Sequence, residues 1–80
     1  MISVHVQYFA ILREQRGLSQ EKLSTSATTP AALYNELRER HRFTLPGERI
    51  RAAVNDAFVE ATAALRDGDR IVFIPPVAGG

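Results

Sequence analysis

The first residues of the chain alternate between apolar and polar side chains. In residues 2–8, isoleucine, valine and tyrosine occupy the even positions, and serine, histidine and glutamine occupy the odd positions. A repeat of two residues is typical of a strand that turns one face toward a core. Residues 10–16 then predict a short helix that ends at Gly17. The weaker pattern of residues 18–24 predicts a second strand, at an edge of the sheet.

Thr29 and Pro30 are typical of a helix start. The threonine hydroxyl can accept a hydrogen bond from the first turn, and proline fits the first helical position because its missing N–H needs no partner there. Leu33 and Leu37 follow one turn apart, with polar residues on the opposite side. Residues 30–41 are therefore predicted to form the main helix, which is amphipathic.

The second half of the chain contains short apolar runs that are separated by turn residues. Residues 52–54 and 57–59 predict two strands joined by an Asn-Asp turn at 55–56. The Asp-Gly-Asp stretch at 67–69 predicts a second tight turn. Residues 71–74 are apolar without alternation, which predicts a central strand covered on both faces.

The order of strand, short helix, strand, helix and further strands predicts the fold class. It is α+β, a mixed sheet with one main helix packed across it. We expect a globular domain at residues 1–74 and an extended tail at residues 75–80. A chain of 80 residues is too short to enclose a large substrate cavity, so function is expected at a surface or at an end.

Composition removes several classes of function. Ten basic and nine acidic residues nearly cancel, so no global charge favours nucleic-acid or membrane binding. The chain has no cysteine, which excludes disulfides, thiolate metal sites and a cysteine nucleophile. No stretch is long and apolar enough to span a membrane, and the N-terminal residues lack the pattern of a signal peptide. A cytoplasmic protein is expected.

The most unusual residues are the last six, Pro-Pro-Val-Ala-Gly-Gly, which directly follow the apolar run. Pro75 and Pro76 have no backbone N–H, so we expect the sheet to end there and the chain to project outward. Gly79 and Gly80 lack side chains, so a narrow channel in another protein can admit the backbone and reach a terminal carboxylate. Extended over residues 75–80, the tail reaches about 20 Å at about 3.3 Å per residue. The alternative is a frayed end without a function.

Several short motifs, spread over nearly the whole chain, resemble the small subunits of molybdopterin synthase. The most specific is the stretch from Asp-Gly-Asp at 67–69 to the Pro-Pro-Val-x-Gly-Gly end. The others are Phe9-Ala10, Leu12-Arg13-Glu14, Ala52-Ala53-Val54-Asn55 and Leu65. The resemblance implies the ubiquitin-like β-grasp fold, in agreement with the predicted order of elements.

The resemblance also implies that the chain is a sulfur carrier and not an enzyme by itself. In that family an adenylating enzyme uses ATP to convert the terminal glycine carboxylate into an acyl adenylate, and sulfur from a persulfide then gives a thiocarboxylate. Here the reactive residue is Gly80, and Gly79, Ala78, Val77, Pro76 and Pro75 form the part of the tail that enters the partner. The chain is expected to bind no cofactor and no metal.

The partners implied by the resemblance are the adenylating enzyme and a large catalytic subunit, assembled with the carrier as a heterotetramer. The large subunit binds cyclic pyranopterin monophosphate, to which the carrier delivers sulfur for the dithiolene that later holds molybdenum or tungsten. Phe9, Phe58 and Ile74 match the apolar positions with which the family contacts its partners. The family often has an aromatic residue where this chain has Ile74. Ordinary core packing is the alternative explanation of all three residues.

The remaining polar residues are explained without a catalytic role. His5 and His41 have no cysteine or helically spaced histidine nearby, so no metal site is predicted. Asp67 and Asp69 flank a glycine, and a turn explains them better than paired acid–base carboxylates or a calcium loop. The basic residues of segment 38–42 suit the end of a helix; docking to an acidic partner is the alternative.

Four functions remain in competition. The first is sulfur donation to a pterin precursor, and the second is sulfur donation for thiamine thiazole or a modified nucleoside. The third is a ubiquitin-like modifier that becomes attached to lysines, and the fourth is a binding module with an inert tail. The Pro-Pro-Val-Ala residues before Gly79 and Gly80 favour the first.

Overall fold

The structure is a computed structural model, and it describes residues 1–76 of the chain. These residues form five strands, two helices and one short 3-10 helix. In chain order they are β1 (Ile2–Tyr8), α1 (Ala10–Arg16), β2 (Gln20–Thr25), α2 (Pro30–His41), the 3-10 helix Gly47–Arg49, β3 (Arg51–Val54), β4 (Ala57–Val59) and β5 (Arg70–Ile74). No helix in this part of the chain has the length and apolar character needed to cross a membrane.

The five strands form one mixed sheet in the order β2-β1-β5-β3-β4. β1 and β5 are parallel, and the other neighbouring pairs are antiparallel. The predicted α+β architecture is therefore confirmed, with β5 in the centre and β2 at an edge. β2 begins two residues later than predicted, because Leu18 lies in the connection from α1 and is 43% exposed.

Local chemistry explains where the helices begin and end. α1 ends at Gly17, whose φ of 83° allows its N–H to bond to the Arg13 carbonyl. At the start of α2, the Thr29 hydroxyl accepts a hydrogen bond of 3.1 Å from the Ala32 N–H. The bounds predicted for both helices are confirmed.

The turns of the second half also have the conformations that their residues favour. Asn55 and Asp56 both have positive φ, 51° and 73°, as the type I′ turn of a two-residue hairpin requires. Gly68 has a φ of 88° between Leu65 and β5. These turns bring β3, β4 and β5 into register.

The core lies between α2 and one face of the sheet. Val4, Val6 and Tyr8 point from β1 toward α2 and are at most 1% exposed, as the alternation predicted. Four aromatic rings form its centre: Tyr34 is in contact with Phe43 and Phe73, and Phe43 also with Tyr8, at centroid distances of 5.4 to 5.9 Å.

One prediction about β5 is wrong. Ile71 and Phe73 are buried, but Val72 and Ile74 on the opposite side of the strand are only half-buried. Coverage of both faces needs a layer on each side of the sheet, and in the described residues the helix α2 packs on one side alone. The continuous apolar run therefore indicates an open sheet face that carries apolar side chains.

Candidate functional site

The described residues end two positions after β5, the central strand of the sheet. Ile74, the last residue of β5, lies opposite Arg51 of β3. Pro75 is buried and Pro76 is exposed, so the chain passes from the packed body to the surface within two residues. Because neither proline has an N–H, neither can continue the ladder to β3.

Four of the predicted tail positions lie outside the described residues. They are Val77, Ala78, Gly79 and Gly80. Their predicted roles, and the separation of a tail at residues 75–80 from a domain at 1–74, remain predictions. What the structure does give is the surface around the exit of the chain.

Strand register brings apolar residues from three strands onto the open face of the sheet. Val72 of β5 lies opposite Ala53 of β3, and Ala53 lies opposite Phe58 of β4. Side chains directly opposite one another share a face. This is the face away from α2, because the alternate residues Ile71 and Phe73 point into the core.

Phe9 joins this surface from β1. Tyr8 points into the core, and Phe9 continues in extended conformation with φ −127° and ψ 154°. Its side chain therefore turns to the opposite face. The next residue, Ala10, has a left-handed φ of 52°, and α1 begins there. We call the set Phe9, Ala53, Phe58, Val72 and Ile74 the apolar exit patch.

The three residues that sequence reasoning assigned to partner binding all belong to the apolar exit patch. Phe9 is 42% exposed, Phe58 is 62% exposed and Ile74 is half-buried. The alternative of core packing does not describe Phe9 and Phe58, because neither belongs to the buried cluster under α2. Partner binding itself stays a prediction.

Arg51 links the patch to the exit of the chain. Its guanidinium carbon lies 4.6 Å from the centroid of the Phe58 ring, a cation–π contact. The same residue lies opposite Ile74. The contact restricts the Phe58 ring without removing it from solvent.

The Asp-Gly-Asp motif forms a turn that is tied to its neighbours. One side-chain oxygen of Asp67 accepts a hydrogen bond of 2.7 Å from the Ser3 N–H. The Asp69 carboxylate accepts one from the Arg66 N–H and another from the Asn55 side-chain amide, at 2.8 and 2.9 Å. Asn55 in turn accepts from the Arg70 N–H at 3.0 Å. Since these bonds all hold the loops around β5, the structure supports a turn and not acid–base catalysis.

Sequence reasoning missed a polar cluster on the core side of the sheet. The Arg16 guanidinium donates two hydrogen bonds to the Glu21 carboxylate, at 2.7 and 2.8 Å, and the Tyr8 hydroxyl donates a third at 2.6 Å. Hydrogen bonding to Arg16 lowers the pKa of Glu21 to about 2. Burial, with the hydrogen bond to Glu21, raises the pKa of Tyr8 above its usual value. The cluster joins α1, β1 and β2, and the register of β1 with β2 and the direction of α1 together bring its members into contact.

The two histidines lie apart from each other. His5 is exposed on the open face of β1, whereas His41 at the end of α2 packs beside the Phe43 ring at 5.8 Å. Partial burial, followed by the nearby Arg16 charge, lowers the pKa of His41. Within residues 1–76, no three histidine, aspartate or glutamate side chains are grouped as metal ligands.

A cleft of about 430 Å³ lies on the opposite side of the sheet from the patch. Its lining residues include Tyr34 and Arg38 of α2, Glu48 of the 3-10 helix, Ile50 directly after that helix, and Phe73 of β5. None of the residues predicted to bind a partner contributes to it.

Comparison with known proteins gives the family of the chain. Residues 6–80 match the model of the ThiS family. The chain belongs to the ThiS family. It is 34% identical over 83 residues to the molybdopterin synthase sulfur carrier subunit of Mycobacterium tuberculosis, with all of both chains covered. It is 32% identical to the subunit of the same name from Escherichia coli, covering 96% of this chain and 99% of that one.

Solved structures support the same assignment. The provisionally named molybdopterin converting factor subunit 1 of Pyrococcus furiosus superposes on this ThiS-family chain with a TM-score of 0.78. It is 28% identical, over 96% of this chain and all of that one. Small archaeal modifier protein 1 of Methanosarcina acetivorans gives 0.78 at 25% identity, over 100% and 98% of the two chains. The ubiquitin-like β-grasp fold and the resemblance to molybdopterin synthase small subunits are confirmed.

Proposed function

We propose that this chain is the sulfur-donating subunit of a molybdopterin synthase, with Gly80 as the residue that carries sulfur. The observation that carries the proposal is the position of the Pro75-Pro76 pair. It follows the central strand directly and stands beside the apolar exit patch, in which Phe9 and Phe58 are exposed. A partner that covers the patch therefore meets the segment that leads to Gly80. The relatives from Mycobacterium tuberculosis and Escherichia coli are named as sulfur carrier subunits of molybdopterin synthase, and this name supports the reaction that we propose.

The chemistry on the carrier is that of an activated carboxylate. A free carboxylate is a poor electrophile, so the Gly80 carboxylate first attacks ATP in an adenylating enzyme and forms an acyl adenylate with loss of pyrophosphate. A persulfide sulfur then displaces AMP, and a thiol cleaves the resulting S–S bond to leave a thiocarboxylate. The absence of cysteine from the chain means that this sulfur is supplied from outside. A reducing cytoplasm is compatible with these steps.

The body of the domain positions the tail and does not take part in bond making. Asp67 and Asp69, in the turn before β5, are engaged by loop hydrogen bonds, and Asp56 forms an ion pair with Arg70. The residues that complete the reaction on cyclic pyranopterin monophosphate would then belong to the large subunit. One dithiolene contains two sulfur atoms, so two deliveries are needed and the spent carrier must be released and loaded again. The assembly that we propose is a heterotetramer with two large subunits.

Reconstitution tests this proposal. Thiocarboxylated carrier mixed with the large subunit and cyclic pyranopterin monophosphate should yield molybdopterin and carrier with a free Gly80 carboxylate. Neither subunit alone should give product. Transfer of sulfur only to a thiazole-forming enzyme would contradict the pterin assignment in favour of a thiamine carrier.

A second candidate function is protein modification, which the similarity to a small archaeal modifier protein favours. Both functions begin with the same adenylate, and they differ in the acceptor. A modifier remains attached through an isopeptide bond, whereas a donor returns unmodified. Stable adducts on lysines, formed without pterin product, would support the modifier.

A further inference from the structure

One carboxylate holds both ends of the segment that carries Phe9. Glu21 of β2 accepts a hydrogen bond of 2.6 Å from the hydroxyl of Tyr8, the last residue of β1. It also accepts two, of 2.7 and 2.8 Å, from the guanidinium of Arg16, the last residue of α1. Residues 8–16 are thereby closed into a loop whose two ends meet at Glu21. We call Tyr8, Arg16 and Glu21 the Glu21 cluster.

Phe9 lies in this loop directly before a backbone conformation that its sequence does not favour. Ala10 has a φ of 52°, a left-handed value that residues with a Cβ rarely adopt. Glycine would adopt it freely, but the chain has alanine here. Such a conformation persists only where the surrounding contacts hold it, and it is frequent at sites that bind a partner or ligand. The contacts on either side of Ala10 therefore maintain the turn that aims Phe9.

The remaining contacts of α1 hold the helix but act after the turn. Leu12 is fully buried, and the Gln15 side chain forms hydrogen bonds of 2.9 and 3.2 Å with Thr44. Phe9 itself is 42% exposed and is outside the cluster under α2, so core packing does little to fix its ring. The Glu21 cluster differs from these contacts, because it joins the residue directly before Phe9 to the end of α1.

We infer that Glu21 is a positioning residue for partner binding, which keeps Phe9 in the apolar exit patch by fixing Tyr8 and Arg16. This inference rests on the proposed function, and the partner is the large catalytic subunit. A side chain that is already ordered in the free protein loses less conformational freedom on binding. Apparent affinity falls in proportion to the fraction of free carrier that is competent to bind. Without the cluster, Phe9 should hold its binding position for only part of the time.

Affinity for the large subunit tests the inference. Glu21→Ala removes all three hydrogen bonds, whereas Tyr8→Phe removes one and keeps the buried ring. If Phe9 is then in place for about a fifth to a tenth of the time, unmodified Glu21→Ala carrier should bind about five- to tenfold more weakly than the wild type. Tyr8→Phe should show a smaller loss. Asp69→Ala is the matched control, because it removes two hydrogen bonds in the turn before β5, and it should bind like the wild type.

A double-mutant cycle separates positioning from a general loss of stability. In a chain that already carries Phe9→Ala, Glu21→Ala should weaken binding no further, because there is no ring to position. In a chain that carries Phe58→Ala, it should still weaken binding about five- to tenfold, because Phe58 lies on β4 at the other side of the patch.

Hydrogen exchange of the free carrier adds a measurement that needs no partner. The Leu12 N–H donates a hydrogen bond of 3.1 Å to the Phe9 carbonyl, across the turn at Ala10. If the Glu21 cluster maintains this turn, the Leu12 amide should exchange faster in Glu21→Ala than in the wild type or Asp69→Ala.

Four results would overturn the inference. They are equal weakening of binding by Asp69→Ala, unchanged binding of Glu21→Ala, an effect of Glu21→Ala that is as large with Phe9→Ala as without it, or unchanged exchange of the Leu12 amide. Failure of the proposed function is separate, because it appears as wild-type carrier that binds the large subunit but forms no thiocarboxylate or pterin product.

Discussion

Phe58 lies directly opposite Ala53 across the β3–β4 hairpin, on the sheet face that α2 leaves open. Ala53 is 9% exposed although it is outside the cluster under α2, and Phe58 is 62% exposed. The smaller residue is thus covered, whereas the larger one presents its ring to solvent. An exposed aromatic side chain next to the exit of the chain is typical of a binding surface.

Phe58→Glu should therefore reduce binding more than stability. If Phe58 is a hot spot, affinity for the large subunit should fall by about 2 kcal/mol or more. The melting temperature should change little, because the ring is outside the core. Titration calorimetry and thermal unfolding of the same samples measure the two effects. Phe73→Ala is the control for a true core residue, with an expected cost of about 3–5 kcal/mol in stability. A large stability loss in Phe58→Glu would assign the ring to the core instead.

Asp69→Ala should destabilise the domain and leave sulfur loading intact. The substitution removes the acceptor of the Arg66 N–H and of the Asn55 side-chain amide. We expect a loss of about 1–2 kcal/mol in the free energy of unfolding. Denaturant unfolding measures that loss, and intact-mass spectrometry measures loading. A stable protein that no longer loads would instead show a chemical role for the carboxylate.

The pH dependence of stability should reveal the Glu21 cluster. Hydrogen bonding to Arg16 lowers the pKa of Glu21 from 4.5 to about 2 in the folded state. A lowered folded-state pKa gives stability that is present above pH 4.5 and is lost as the pH falls toward 2, of order 2–3 kcal/mol. Glu21→Gln should be less stable than the wild type at pH 7, and the difference should shrink below pH 4. Parallel curves for the two proteins between pH 7 and 2.5 would contradict the cluster.

The features of the fold that were predicted correctly depend on residues adjacent in sequence. The start of α2 is set by Thr29 and Pro30 within one turn, and the hairpin is set by Asn55 and Asp56 alone. Both can be predicted because a cap or a two-residue turn depends on adjacent residues.

What the sequence could not predict depends on distant residues. Burial of Val72 and Ile74 depends on whether a second layer covers the sheet, and their apolar character is the same in either case. The contact of Arg16 and Tyr8 with Glu21 depends on the register of β1 with β2 and on the direction of α1. For the same reason, the sequence alone could not decide whether Phe9 and Phe58 lie in the core or at the surface.

The central claim is that sulfur is carried on the carboxylate of Gly80, and intact-mass spectrometry tests it most directly. Wild-type chain, a Gly80 deletion and a chain with one residue appended after Gly80 are each incubated with the adenylating enzyme, ATP and a persulfide donor. The account predicts that one oxygen is replaced by sulfur at the C-terminus of the wild type only, while all three proteins unfold at the same temperature. Sulfur loading that persists in the Gly80 deletion would contradict it.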